Sequence, residues 1–144
     1  MKNIKCLSEK REIAKTEKEI NAAVEEGLIA GYPNKTFKPH NPVSRAEALT
    51  VLSKGITCDI DECKASEILG QYSDGNQVSS WAKIPVAKSL QAGALKDAPM
   101  PNQIAPNKNA SRAELASMIE NVRVSLGYST NSTANCACQG NKKA

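Results

Sequence analysis

The chain of 144 residues is long enough for one domain of ordinary size, and 40% hydrophobic with 24% charged residues is a globular composition. The formal net charge of +4 is spread along the chain without a basic run interleaved with aromatic residues, which argues against nucleic-acid binding. No stretch approaches the roughly 20 apolar residues of a membrane-spanning helix, and no apolar run follows the basic N-terminus to make a signal peptide.

The first part of the chain predicts a helix, a long loop and a second helix. Apolar residues recur at helical spacing from Ile13 to Val24, and Gly27 follows as a helix stop. Ser44 then precedes a second helical pattern that ends near Gly55. The loop between the two patterns is interrupted by three prolines, which exclude a helix there: Pro33, Pro39 and Pro42.

The same order of elements returns further along the chain. After a polar connector with a short helical pattern, apolar residues from Ala82 to Leu90 predict a helix that Gly93 ends. A second Pro-containing loop leads to Ser111 and to a last helix that ends at Leu126. We therefore predict an all-α fold of tandem helix–long loop–helix repeats, a pseudo-symmetric bundle with loop-rich arms. Its divisions are an atypical first repeat (1–56), a connector (57–71), a second repeat (72–126) and a flexible tail (127–144).

Both loops end in the tetrapeptide Ser-Arg-Ala-Glu. A serine followed three residues later by glutamate is a capping box, in which the serine hydroxyl accepts from the glutamate N–H and the carboxylate accepts from the serine N–H. Ser44 with Glu47, and Ser111 with Glu114, fit this pattern. We predict that each pair caps the helix that follows it.

Capping does not explain the arginine inside each tetrapeptide, because any good helix former would serve there. Arg45 and Arg112 occupy equivalent places. A helix N-terminus presents free N–H groups, and an arginine beside it can complete a site for a carboxylate or phosphate. An exposed arginine in a first helical turn is also commonplace, so physical reasoning leaves both interpretations open.

These segments make the chain resemble the S-layer homology family. Its repeats read roughly as aromatic-x-Asp, a Trp-Ala helix start, a glycine-containing turn, an aromatic-x-Pro segment and Thr-Arg-Ala-Glu. The first repeat matches through "EEGLIAGYPNKTFKPHNPVSRAEALTVL". The second matches through "YSD" (72–74), "SWAK" (80–83), Gly93, "IAP" and "SRAEL".

The resemblance implies repeats packed with pseudo-threefold symmetry, with grooves between them that bind cell-wall polysaccharide, often a pyruvate-bearing secondary polymer. It implies that Arg45 and Arg112 face the acidic sugar, that Trp81 and the turn around Gly31 contribute to the groove, and that Asp74 orders the loop. Simple packing remains the alternative role for Trp81.

The chain also departs from the family pattern. Serine replaces threonine in both tetrapeptides, the first repeat lacks the aromatic-x-Asp and Trp-Ala opener, and the second lacks the glycine-rich turn. A third repeat is not seen. We therefore expect self-association, or further repeats in a longer protein, to cover the apolar face left open.

Catalysis and metal binding have little support in the sequence. The lone histidine, His40, lies in a Pro-rich loop, and no cofactor motif occurs. The cysteines of "CDIDEC" and "CAC" lack the short knuckle spacing of structural zinc sites. Free thiols, a Cys58–Cys63 disulfide and a zinc site all remain open, and we predict no metal.

The leading hypothesis is a non-catalytic module that binds acidic, pyruvylated cell-wall polysaccharide and anchors a protein at the bacterial surface. The alternatives are a protein-interaction or self-assembly module that has lost the glycan site, and a peptidoglycan-binding module. We expect a cell-surface location if the chain belongs to a secreted protein, and a cytoplasmic one if the chain is complete as given.

Overall fold

The computed structural model describes residues 13–127, with side chains from residue 17 onward. Apart from one isolated bridge between Ser44 and Asn109, this part of the chain contains helices, turns and loops and no strand, so the predicted all-α fold class is confirmed. The predicted flexible tail lies almost wholly outside the described residues. The helices are α1 (Ile13–Glu25), α2 (Arg45–Ser53), α3 (Glu62–Gly70), α4 (Lys83–Gln91) and α5 (Arg112–Ser125).

The chain forms two compact units, with the boundary between Pro42 and Val43. The first unit contains α1 and the Pro-containing loop that follows it. Gly27, at a φ of 73°, ends α1 in the left-handed conformation that glycine adopts without steric cost, as the sequence predicted. Beyond it, the N–H of Tyr32 donates to the carbonyl of Thr36 at 2.9 Å and so closes a tight turn.

The second unit is built around α4, which packs against both α2 and α3. Its core is aliphatic, as a chain with few aromatic residues requires, and α4 contributes Val86 and Leu90. Ser89 is fully buried on the same helix, and its hydroxyl donates to the carbonyl of Leu49 in α2 at 2.6 Å. This hydrogen bond satisfies a polar group that would otherwise destabilise the interior.

The start of α4 follows from its sequence. A short 3-10 helix, Ser80–Ala82, leads directly into it, and Pro85 stands in the first helical turn, where the missing N–H removes no helical hydrogen bond. Gly75 lies so close to α3 that a Cβ atom there would meet the backbone oxygen of Leu69 at 2.0 Å, so only glycine fits. No helix within residues 13–127 has the length and apolar character needed to cross a membrane.

Candidate functional site

Both Ser-Arg-Ala-Glu segments form complete capping boxes. The N–H of Ser44 donates to Glu47 Oε2 at 2.8 Å, and the N–H of Glu47 donates to Ser44 Oγ at 3.2 Å. Ser111 and Glu114 repeat the arrangement at 2.8 and 3.1 Å. Each box satisfies N–H groups that a helix start leaves without an intrahelical partner.

The second loop runs antiparallel to the start of α2. The N–H of Ala110 donates to the carbonyl of Val43 at 2.8 Å, and the N–H of Arg45 donates to the carbonyl of Lys108 at 2.8 Å. The N–H of Ala46 donates to the carbonyl of Pro106 at 3.1 Å. The first N–H groups of α2 are therefore occupied within the protein, and this helix start has none to offer to an anion.

Arg45 is buried, with 5% of its surface exposed. Its Nε donates to the carbonyl of Ile104 at 2.7 Å, and its Nη1 donates to Glu114 Oε1 at 2.9 Å. Among the described residues, its Nη2 has no hydrogen-bond partner. Arg45, the first residue of α2, is thus held by the second loop and by the capping glutamate of α5, and its Nη2 remains to donate.

Glu114 is the electrostatic centre of this cluster. Its Oε2 accepts from the N–H of Ser111, while its Oε1 faces both Arg45 and the ammonium of Lys108, the latter at 3.3 Å. The Ser111 hydrogen bond, followed by Lys108 and Arg45, holds the pKa of Glu114 below its ordinary value, against the opposing effect of desolvation. The carboxylate therefore stays charged to a lower pH than an ordinary glutamate does.

Asp74 fixes the loop that carries the Ile104 carbonyl. Its Oδ1 accepts from the N–H of Ile104 at 2.9 Å, and its Oδ2 accepts from the N–H of Ala105 at 2.7 Å. Ala105 has a φ of 48°, a left-handed conformation that is unfavourable for alanine. The two hydrogen bonds hold the backbone in this conformation and so position the acceptor of Arg45 Nε.

Two cavities share part of their lining, since both are lined by Arg45, Ala98, Pro99 and Glu114. The α5 cavity, of about 220 Å³, is also lined by Ala94, Leu95, Asp97, Ala113, Ser117 and Met118. The loop cavity, of about 340 Å³, is also lined by Met100, Gln103, Ala105 and Lys108.

The remaining residues of the predicted site are not gathered at these cavities. Arg112 and Trp81 are exposed and line neither cavity. Gly31 belongs to the other unit, where it adopts a φ of 70°. Of the four residues predicted for glycan binding, only Arg45 lines these cavities.

Sequence reasoning missed Lys108, Gln103 and Met100 as cavity residues, and it missed Glu114 as the partner of Arg45. The only available signal was that Lys108 lies three residues before the second capping serine, a position that Asn41 holds in the first loop. The pairing of the two segments depends on long-range packing, which a local motif does not encode.

The described cysteines and acidic residues give no metal centre. Within residues 13–127, His, Cys, Asp and Glu side chains form no group of three or more that could hold an ion. Cys63 has a free thiol, so the Cys58–Cys63 disulfide considered from the sequence is not formed. Cys136 and Cys138 of the "CAC" segment lie outside the described residues.

Comparison with known proteins places these features in a family. A family model described as the S-layer homology domain matches residues 10–49 and 71–116, together more than half of the chain. No solved structure matches the chain.

Three relatives illustrate the range of proteins with a similar segment. The chain is 26% identical over 108 residues to the middle cell wall protein of Brevibacillus brevis, covering 74% of this chain and 8% of that protein. It is 31% identical over 101 residues to an amylopullulanase of Thermoanaerobacterium thermosulfurigenes, covering 69% of this chain and 5% of that protein. It is 29% identical over 91 residues to cell surface glycoprotein 1 of Acetivibrio thermocellus, covering 63% of this chain and 4% of that protein. The chain therefore spans less than a tenth of the length of each.

Proposed function

The chain belongs to the S-layer homology domain family, as its motifs predicted, and from this premise we propose that it is a non-catalytic module that anchors a protein to the bacterial cell wall. Its ligand in this proposal is an acidic secondary wall polysaccharide with carboxylate substituents, such as pyruvylated sugars. The repeat boundaries 1–56 and 72–126 and a cell-surface location belong to the same proposal.

The observation that carries the proposal is the free Nη2 of a buried arginine that lines two cavities. Arg45 is almost fully enclosed, and its orientation is fixed by Ile104 and Glu114. A donor that is held in place before the ligand arrives loses little side-chain entropy on binding. In a partly enclosed cavity its hydrogen bond to a carboxylate is stronger than the same bond in water.

Two exposed residues can extend this contact over a longer polymer. Arg112 begins α5, where its own N–H and that of Ala113 have no partner among the described residues. Trp81 is 60% exposed and offers an aromatic face for a sugar ring. We propose Arg112 as a second acidic contact and Trp81 as a stacking residue. The turn around Gly31, in the first unit, is proposed as a glycan contact of that unit by itself.

Two names among the relatives, a cell wall protein and a cell surface glycoprotein, favour wall attachment, while the amylopullulanase shows that a similar segment also occurs in an enzyme. The cluster around Arg45 has no nucleophile with a neighbouring base, and its one glutamate is occupied as a helix cap. We therefore assign binding rather than catalysis to this chain.

The experiment is cosedimentation of the purified protein with bacterial wall sacculi, before and after chemical removal of the secondary polymer. Arg45→Lys retains the charge but loses the fork of donors, so we expect binding at least tenfold weaker. Arg112→Gln should weaken binding about threefold, and Arg123→Gln, another exposed arginine of α5, serves as its control. Circular dichroism checks that each variant is folded.

Binding that depends on both the polymer and Arg45 supports the proposal. Binding that survives polymer removal would instead indicate peptidoglycan as the ligand. If the folded wild-type protein binds no wall preparation, the proposal is wrong, and an assembly module becomes the better hypothesis. Analytical ultracentrifugation of the same samples tests self-association directly.

A further inference from the structure

We propose that Lys108 receives the acidic group of the ligand in the loop cavity, exchanging its contact with Glu114 for one with the ligand while Arg45 stays in place. This inference rests on the proposed function and assigns the specificity for acidic sugars to a residue outside the Ser-Arg-Ala-Glu segments. It concerns two cations, Arg45 and Lys108, that share one carboxylate oxygen, Glu114 Oε1.

Arg45 cannot move to meet a ligand. Its Nε is held by the Ile104 carbonyl at 2.7 Å and its Nη1 by Glu114 at 2.9 Å, and the side chain is 6% exposed. Lys108 is different, because its side chain is 65% exposed and, within residues 17–127, its ammonium contacts only Glu114 Oε1, at 3.3 Å. The lysine is therefore the movable cation of the cluster.

The charges that line the two cavities decide which one takes an anion. The loop cavity has Arg45, Lys108 and Glu114 as its charged lining residues, two cations against one carboxylate. The α5 cavity has Arg45 with Asp97 and Glu114, one cation against two carboxylates. At neutral pH a negatively charged group is favoured in the first and repelled from the second, and the loop cavity matches a single carboxylate in charge.

The exchange leaves no buried charge without a partner. When Lys108 turns to the ligand, Glu114 keeps its hydrogen bonds from the Ser111 N–H and from Arg45. The ion pair that is given up is the exposed one, and such pairs contribute little to stability. Lys108 and Arg45 both line the loop cavity, so an acidic group bound there can accept from Lys108 Nζ and from Arg45 Nη2, the arginine donor that no described residue occupies.

The two loops differ at this position. Lys108 and Asn41 each lie three residues before a capping serine, so only the second loop places a cation there. We infer that the second loop supplies the preference for an acidic sugar, and that Lys108 is a specificity-determining residue rather than one needed for folding.

The test measures binding of wild type, Lys108→Gln, Lys108→Arg and Lys54→Gln to sacculi that carry a carboxylated secondary polymer. Lys54 is exposed at the end of α2, lines neither cavity and controls for the loss of one positive charge. We expect binding five- to tenfold weaker for Lys108→Gln, within twofold of wild type for Lys108→Arg, and unchanged for Lys54→Gln. Lys108→Gln should also bind with a shallower salt dependence.

A parallel series uses sacculi whose acidic substituents have been removed by mild acid. There Lys108→Gln should bind as well as wild type, because its partner on the ligand is absent. The inference is wrong if wild type binds the intact walls but Lys108→Gln matches Lys54→Gln. If wild type binds no wall at all, the proposed function fails first and this inference with it. Equal urea midpoints for the variants exclude unfolding as the cause of weaker binding.

Discussion

Glu114 accepts a 2.9 Å hydrogen bond from Arg45, a residue 69 positions earlier in the chain. The carboxylate that caps α5 is thereby also the counter-ion of the arginine at the start of α2. The two Ser-Arg-Ala-Glu segments, which are identical in sequence, have different surroundings. Glu47 caps its helix without an ion pair in the described part of the chain, whereas Glu114 joins a cap to a buried charge.

Replacing Glu114 by glutamine should destabilise the protein by about 2 kcal/mol, because the amide retains the cap but leaves Arg45 without its counter-ion. This loss of stability is smaller than the loss expected for breaking a fully buried ion pair, because the Glu114 side chain is 21% exposed. Urea unfolding measures it as a lower midpoint with an unchanged slope.

Glu47→Gln is the matched control, since it makes the same chemical change in the other capping box. We expect Glu47→Gln to lower the free energy of unfolding by about 0.5 kcal/mol, within the range for a modified helix cap. Equal losses for the two variants would mean that the Arg45–Glu114 ion pair contributes nothing beyond helix capping.

The same carboxylate predicts a dependence of stability on pH. The Ser111 N–H, Lys108 and Arg45 hold the pKa of Glu114 below its ordinary value in the folded protein. The charged Glu114 side chain therefore contributes fully to the free energy of unfolding above the unfolded-state pKa of about 4.3. This contribution is lost as the pH falls through the lower folded-state pKa. We expect the wild-type advantage over Glu114→Gln to shrink between pH 6 and pH 3, measured by urea unfolding at each pH. A constant difference across that range would contradict the assigned pKa direction.

Local chemistry made much of the fold predictable. Ser44 and Ser111 mark helix starts because their hydroxyls accept from N–H groups within the same turn, and Gly27 and Gly93 follow helix ends because both adopt positive φ. These features depend on residues three or four positions apart. Helix positions could therefore be inferred from one sequence without knowledge of the packing.

The candidate site was less predictable because it depends on contacts across the sequence. Arg45 was expected to face a ligand from a helix start with free N–H groups, but the second loop occupies those groups and Ile104, 59 positions away, fixes the guanidinium. The role of Lys108 follows from its distance to Glu114 Oε1, which no local motif specifies. The charge and the burial of the loop cavity arise only after the second loop pairs with the start of α2.

Asp74→Ala should destabilise the second loop, because it leaves the N–H groups of Ile104 and Ala105 without their carboxylate acceptor. We expect a loss of about 2 to 3 kcal/mol and faster hydrogen exchange at those two amides. Asp59→Asn is the control, since Asp59 is exposed and forms no side-chain hydrogen bond within residues 17–127. Unchanged exchange at Ile104 and Ala105 in Asp74→Ala would show that the loop is held by other contacts.

Lys35→Gly should stabilise the first unit. Lys35 has a φ of 61°, which is unfavourable for a residue with a Cβ atom, and its N–H already closes a turn by donating to the carbonyl of Tyr32 at 2.9 Å. Glycine relieves the steric cost but adds freedom to the unfolded chain, so the net gain should be about 0.5 to 1 kcal/mol. Lys35→Ala removes the same charge without relieving the backbone, and it should give no gain. Thermal unfolding followed by circular dichroism compares the two variants, and equal midpoints would mean that backbone strain at this turn does not limit stability.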